Sequence, residues 1–437
     1  MFEAIKDKLA LSPTYVKMMG NISWIIGDKL MRIFAGLYVT AWIARYLGPG
    51  DFGIYNYALA FVAFFTILST LGIDQILLRE IVHHEGERDE ILGTTFFMRI
   101  IGSTLCVSLA TLVIFLLKPG QSSTIVLVFL FSFSTLFQSF DVIEVFFKSQ
   151  VLIRFSIVAK GIPFIIMNVV KIWLVLHGAS LAAFGVAYAV EMFLCAIGMV
   201  VAYKRYRFAI FNWKPGIERA KHLFRENLPL LFSSLAVMFY MKIDQILLGE
   251  MIDTRAVGIY TAATKVTEIS YLLPVAIITT VAPSLTKLFQ QDKVKYKVRT
   301  QKFFNLMTLI SMVVIVPVML LAPFIIHLLY GQKYEQSSFI LSIHIWTFFF
   351  VSWGVVKELI LVTEGNQRIS LYTTICAMVV NITLNFILIP RYHEVGAAIA
   401  AITAQFVSVN LSLGLFKSSR RILKQEFISL YRFYDIR

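Results

Sequence analysis

Apolar runs of about twenty residues recur along this chain with so little polar sequence between them that no sizeable soluble domain fits. A run of that length is what a helix needs to cross a hydrocarbon layer roughly 30 Å thick. The spacing predicts spans at 21–44, 54–78, 93–117, 123–147, 157–176 and 180–203, then 227–249, 257–283, 303–329, 339–362, 370–389 and 396–416. The expected fold class is all-α, a polytopic membrane protein of about 12 transmembrane helices in two six-helix lobes. Only 15% of the 437 residues are charged, where a soluble chain carries about 25%.

The remaining charge is placed by rule. Segments on the N-terminal side of the membrane hold 27 Lys and Arg, and the opposite loops hold only Arg45, Lys118, Arg255, Lys333 and Arg391. That bias predicts both termini in the cytoplasm. A net charge of +14 therefore reads as topology, not as a nucleic-acid surface. The expected organisation is a cytoplasmic segment at 1–20 with no cleavable apolar core, a first lobe at 21–203, a basic connector at 204–226, a second lobe at 227–416, and a basic cytoplasmic tail at 417–437. The connector reads first as a topology signal, with anionic lipid headgroups as a further partner.

The two lobes echo each other. Phe52-Gly53-Ile54-Tyr55 with Ala58 returns as Val257-Gly258-Ile259-Tyr260 with Ala263. Glu144, Arg154 and Ser156 return as Glu358, Arg368 and Ser370, and Gly185-Val186-Ala187 as Gly396-Ala397-Ala398. Six helices is an even number, so the repeat is of the parallel kind, with the substrate path expected between the lobes.

Eight basic residues fall inside spans: Lys29, Arg32, Arg99, Lys160, Lys171, Lys242, Lys265 and Lys357. A charge at mid-bilayer costs at least about 2.5–3.5 kcal/mol, so each needs an interface, a partner or water. Lys160, Lys171 and Lys357 lie near span ends, within snorkelling reach. Asp28 and Arg32 are spaced i,i+4 and can pair, as can Lys265 and Glu268 at i,i+3. Lys242 and Asp244 are two apart and must diverge. A hydrated cationic cavity accounts for Lys29, Arg32, Lys242 and Lys265 together, and these are the candidate substrate-binding residues. Asp28, Arg99, Glu191, Asp244 and Glu268 are candidates for gating or coupling. Glu191 has no basic neighbour in sequence and reads either as a protonatable site or as a neutral buried acid.

Other motifs carry no chemistry. Gly48-Pro49-Gly50-Asp51-Phe52-Gly53 fits the dinucleotide pattern, but an apolar helix precedes it where a strand is required; it is a turn. Cys106, Cys195 and Cys376 share no metal-ligand spacing and read as small packing residues. Neither a metal, a cofactor, a catalytic residue nor a nucleic-acid partner is expected.

Ala44-Arg45-Tyr46-Leu47-Gly48-Pro49-Gly50-Asp51-Phe52-Gly53-Ile54-Tyr55 resembles the polysaccharide (O-antigen) repeat-unit flippases of the multidrug/oligosaccharidyl-lipid/polysaccharide exporter superfamily. Ala263-Thr264-Lys265-Val266-Thr267-Glu268 and Ala282-Pro283-Ser284-Leu285-Thr286-Lys287 are similar to the eighth-span signature of that superfamily. The resemblance implies a V-shaped pair of bundles in a bacterial inner membrane. These would move a lipid-linked oligosaccharide, on undecaprenyl diphosphate, to the outer leaflet by alternating access. It also implies proton or sodium coupling, polysaccharide polymerase partners, and a diphosphate-engaging role for Lys265. Lys replaces the Arg of the lipid II branch there, so a bidentate grip is not expected. Two other readings stand beside it. A drug/cation antiporter of the same superfamily would want acidic residues at depth, whereas the deep charge here is mainly basic. A membrane polymerase, ligase or acyltransferase commonly needs a large outer loop, and every outer loop here is short.

Overall fold

The computed structural model describes residues 13–206, 209–416 and 419–435, all of them in helices, turns or short connections without a strand. Most of the expected segment 1–20 and the ends of the tail 417–437 lie outside the described residues. Among the described residues nine helices are long and apolar enough to cross a membrane. Two of them, Met31–His83 and Gln367–Gly414, each take in two of the expected spans. The expected span 227–249 lies within the helix Ile217–Met251, which is not among the nine.

In chain order the main helices are α1 (Pro13–Thr70), α2 (Asp74–His83), α3 (Arg88–Leu117), α4 (Ser122–Gln138), α5 (Val142–Ser149), α6 (Ile153–Leu176), α7 (Leu181–Arg205) and α8 (Ile217–Met251). They continue with α9 (Thr254–Ser270), α10 (Leu272–Gln291), α11 (Lys293–Leu320), α12 (Ala322–Tyr330), α13 (Gln336–His344), α14 (Thr347–Thr363), α15 (Gln367–Phe406) and α16 (Arg420–Tyr431). The glycine turn does break α1: Gly48 sits at φ 73°, and Pro49 restarts the helix where its missing N–H costs nothing. In α15 the break falls at His393, at φ 50°.

The chain forms two compact units, Met1–Ile43 with Phe61–Leu235, and Ala44–Ala60 with Ala236–Arg437. In the first, Leu77, Ile91, Val142, Phe146, Phe147 and Tyr203 make a core under which the basic connector is pinned. Trp213 of that connector enters the same core, and its indole donates to the Tyr203 hydroxyl at 3.3 Å. Arg219 reaches the buried Glu80 at 3.3 Å. Hydroxyls join the helices elsewhere: Ser103 lies 2.6 Å from Ser69 and donates to the Thr135 carbonyl at 3.0 Å. Such small polar residues replace the hydrophobic drive that lipid removes.

The second unit packs Phe304, Met307, Trp353, Val356 and Ile360 into a continuous core. The Trp353 indole donates to Thr308 at 2.9 Å, and Thr308 in turn meets Ser429 of α16 at 2.9 Å, so the tail helix is docked by buried polar contacts. The segment 44–60, which the sequence places with the first lobe, clusters here for a reason visible at Gly53 and Gly258. A Cβ on Gly53 would lie 3.0 Å from the Gly258 nitrogen and collide with the Thr254 carbonyl. A Cβ on Gly258 would lie 3.1 Å from the Gly53 nitrogen and collide with the Pro49 carbonyl. The two copies of the repeated motif cross backbone to backbone, which only glycine permits.

Candidate substrate site

Among the described residues, the deep basic side chains Arg32, Arg99, Lys160 and Lys171 of the first unit are matched with acids. Arg32 donates from Nε to Asp28 at 2.9 Å, as the i,i+4 spacing predicts, and its guanidinium lies 4.9 Å from the centre of the Phe164 ring. Arg99 is buried and pairs with Asp74. Lys160 meets Asp141 at 2.7 Å and Glu144 at 2.5 Å. Lys171 meets Glu191 at 2.6 Å, with side-chain exposures of only 12% and 9%. Lys160 and Lys171, expected to snorkel, instead turn to carboxylates on neighbouring helices. Glu191 thereby gains the basic partner that its sequence neighbourhood lacks. The side chain of Lys29 lies outside the described residues.

The second unit is built differently. Glu268 on α9 is shared by two lysines, Lys242 of α8 at 3.5 Å and Lys265 of its own helix at 3.7 Å. Two cations face this one carboxylate, and Asp244 lines the same cavity as Glu268. Lys242 and Asp244 diverge as their spacing requires. Asp244 turns to neutral partners, accepting from the Tyr260 hydroxyl at 2.8 Å and from the Asn385 amide at 2.6 Å. Lys357 donates to Thr373 at 3.2 Å and to the Ser408 carbonyl at 3.1 Å, with the carboxylates of Glu358 and Glu426 near enough to act on its charge.

A cavity of about 60 Å³ opens between α8, α9, α13 and α15, lined by Asp244, Glu268, Tyr260, Tyr271, His344 and Gln405 among others. It is roomy enough for water, and its walls are polar enough to keep it. His344 is buried at 6% exposure, and its Nδ1 has no hydrogen-bond partner among the described residues. Sequence reading did not single out His344, Asn385 or, beyond its place in the repeated motif, Tyr260 as residues of the site. A histidine inside the apolar run 339–362 was the available signal for the first, because such a residue is costly at that depth. Of the expected site residues, the structure brings together Lys242, Lys265, Glu268 and Asp244; Asp28 with Arg32, Arg99 and Glu191 occupy three separate pairs in the other unit.

The family model described as polysaccharide biosynthesis protein matches residues 42–339, more than half of the chain. The chain belongs to this family. Among relatives of the polysaccharide biosynthesis protein family, it is 23% identical over 405 residues to the capsular polysaccharide biosynthesis protein CapF of Staphylococcus aureus, covering 90% of this chain and 97% of that one. It is 23% identical over 418 residues to a Shigella flexneri protein assigned as an O-antigen transporter, covering 88% and 94%. In fold, this family member is similar to the lipid II flippase MurJ in an inward closed conformation. The TM-score is 0.70 at 15% identity, over 94% of this chain and 92% of that one. An inward-facing multidrug transporter of the MATE family matches with a TM-score of 0.68 at 14% identity, covering 94% and 98%.

Proposed function

We propose that this chain is a flippase that carries a polyprenyl-diphosphate-linked oligosaccharide across a bacterial inner membrane by alternating access. Both termini lie in the cytoplasm, the lipid is undecaprenyl diphosphate, and the chain is a transporter rather than an enzyme. A polysaccharide polymerase takes the product on the far side. The observation that carries the reading is the pair of lysines, Lys242 and Lys265, on the single carboxylate of Glu268. A diphosphate carries about two negative charges at neutral pH and cannot leave water without cations to offset its desolvation. Arg32 is already occupied by Asp28, so the proposal rests on Lys242 and Lys265. Moving two negative charges outward down an inside-negative potential of about 100 mV releases about 4–5 kcal/mol, which is a sufficient drive.

Charge reversal tests the assignment. Lys265→Glu should abolish delivery of repeat units to the outer leaflet while folded protein stays in the membrane. Full delivery by that variant refutes the site. In proteoliposomes, flipping that is indifferent to collapse of the potential removes the electrical drive.

A further inference from the structure

The tail helix α16 is largely polar on its buried side and apolar on its outer side. Its buried stripe is Ile422, Gln425, Glu426 and Ser429, each no more than 7% exposed. Its outward side carries Phe427 at 46%, Leu430 at 37% and Tyr431 at 79%, and Phe433 and Tyr434 extend that surface past its end. Water would select the reverse arrangement. We infer that α16 is an interfacial helix: Phe427, Leu430 and Tyr431 enter the acyl chains of the cytoplasmic leaflet, and Arg420 and Lys424 hold anionic lipid headgroups beside them. The leaflet follows from the cytoplasmic termini proposed above; the lysine site plays no part in the argument.

Buried partners fix the height of the helix. Gln425 donates from Nε2 to the Lys297 carbonyl and to Thr300, each at 3.0 Å, before the apolar run of α11 begins at 303. Ser429 meets Thr308 at 2.9 Å, about 8 Å beyond that start at a rise of about 1.5 Å per residue. The helix therefore crosses the level at which α11 leaves water, and sinks to the depth of roughly 5–10 Å that an interfacial helix reaches. Leu411 and Leu415, just before it, are 58% and 70% exposed, so the chain enters α16 from a lipid-facing turn of the last span.

Charge is placed to match. Arg420 and Lys424 are exposed and spaced i,i+4 at the start of the helix, ahead of its aromatic residues. Arg420 donates from Nε to the Gly414 carbonyl at 3.2 Å, while Arg421 turns away to Glu364. On the buried side Glu426 accepts from the Asn410 amide at 3.0 Å, and Asn410 lies in the π-helical turn Val407–Leu411 of the last span. What holds α16 to the leaflet thus holds the inner end of that span.

The test puts single spin labels on full-length protein with Cys106, Cys195 and Cys376 replaced by Ala, in nanodiscs of phosphatidylcholine with or without phosphatidylglycerol. Phe427→Cys and Tyr431→Cys report on the outward face. Val294→Cys on the first turn of α11 and Val313→Cys within its apolar run, 74% and 64% exposed, set the water and lipid limits. With phosphatidylglycerol present, the labels at 427 and 431 should collide with oxygen and escape a water-soluble nickel chelate, as at 313. Without it they should shift toward the 294 limit, and Arg420→Gln with Lys424→Gln should cause the same shift in its presence. Nickel access equal to that at 294 in both lipids overturns the interfacial helix and leaves the face to another protein. Immersion that is the same in both lipids, or unchanged by the double variant, overturns the headgroup contacts. Neither result bears on export through Lys242 and Lys265.

Discussion

The two units treat buried charge in opposite ways. In the first, Arg32, Arg99, Lys160 and Lys171 each meet a carboxylate, and Lys160 meets two, of which it shares Glu144 with Lys148. In the second, Lys242 and Lys265 divide one carboxylate, and the hydrogen bonds of Lys357 go to a hydroxyl and a carbonyl. A matched pair offsets its own desolvation and has little left for a ligand; it holds helices in register. An unmatched cation is a standing cost of a few kcal/mol at depth, which the proposed diphosphate substrate would relieve on binding. On the proposed function, the contrast separates scaffold from site within one chain, using the same residue types.

The largest expected effect comes from erasing charge in each place. Lys242→Met with Lys265→Met should cut export of repeat units by about 100-fold or more, the loss of two charge contacts of at least 1.4 kcal/mol each. Lys171→Met with Glu191→Met should leave export near its starting rate and stability unchanged or improved, as buried pairs replaced by apolar residues behave. Export measured by outer-leaflet accessibility of labelled repeat units decides between them. Equal losses from both double variants would erase the distinction between the units.

Much of this was legible in the sequence, because it is local. Span positions follow from apolar run length, and the Asp28–Arg32 and Lys265–Glu268 pairs follow from helical spacing alone. The repeated Phe52-Gly53 and Val257-Gly258 motifs were visible too, though not that their glycines meet. What sequence could not give is partnership between helices. Glu191 finds Lys171 twenty residues away across a turn, Arg99 finds Asp74, and Lys242 turns to Glu268 rather than toward its neighbour Asp244. The cavity wall draws His344 from a further helix, Asn385 reaches Asp244 from another, and only packing decides which way they face.

Half of a matched pair should be worse for the fold than none. Glu191→Gln leaves Lys171 buried without its carboxylate and should cost about 3–5 kcal/mol, read as a lower unfolding temperature in detergent. The cost should vanish when Lys171→Met is added. If the single variant is as stable as the parent, Lys171 has reached water, and this pair does not belong with the scaffold.

Asp28→Asn sharpens the same series at its exposed end. The Arg32–Asp28 pair lies within one helix, and its side chains are 32% and 16% exposed, so its loss should cost no more than about 1 kcal/mol. A loss as large as that of Glu191→Gln would place Arg32 against lipid and would raise the pair to the same rank as Lys171–Glu191.

The smallest effect belongs to a carboxylate outside the spans. Asp292, between α10 and α11, caps α11 by accepting from the amides of Lys295 at 2.9 Å and Val294 at 3.0 Å. The Lys295 amide, with the Lys295 ammonium behind it, holds its carboxyl below the usual carboxylate range. A lowered folded value means the cap contributes above the unfolded carboxylate value and is lost as pH falls through the folded one. Hydrogen exchange at the Val294 and Lys295 amides should therefore be slow at neutral pH, accelerate in acid beyond the intrinsic trend, and lose that dependence in Asp292→Ala. Export should not change, because this acid is solvated and its partners all belong to the first turn of its own helix. An export defect in Asp292→Ala would show that unmatched lysines are not what sets transport apart, and that the helix junction itself moves in the cycle.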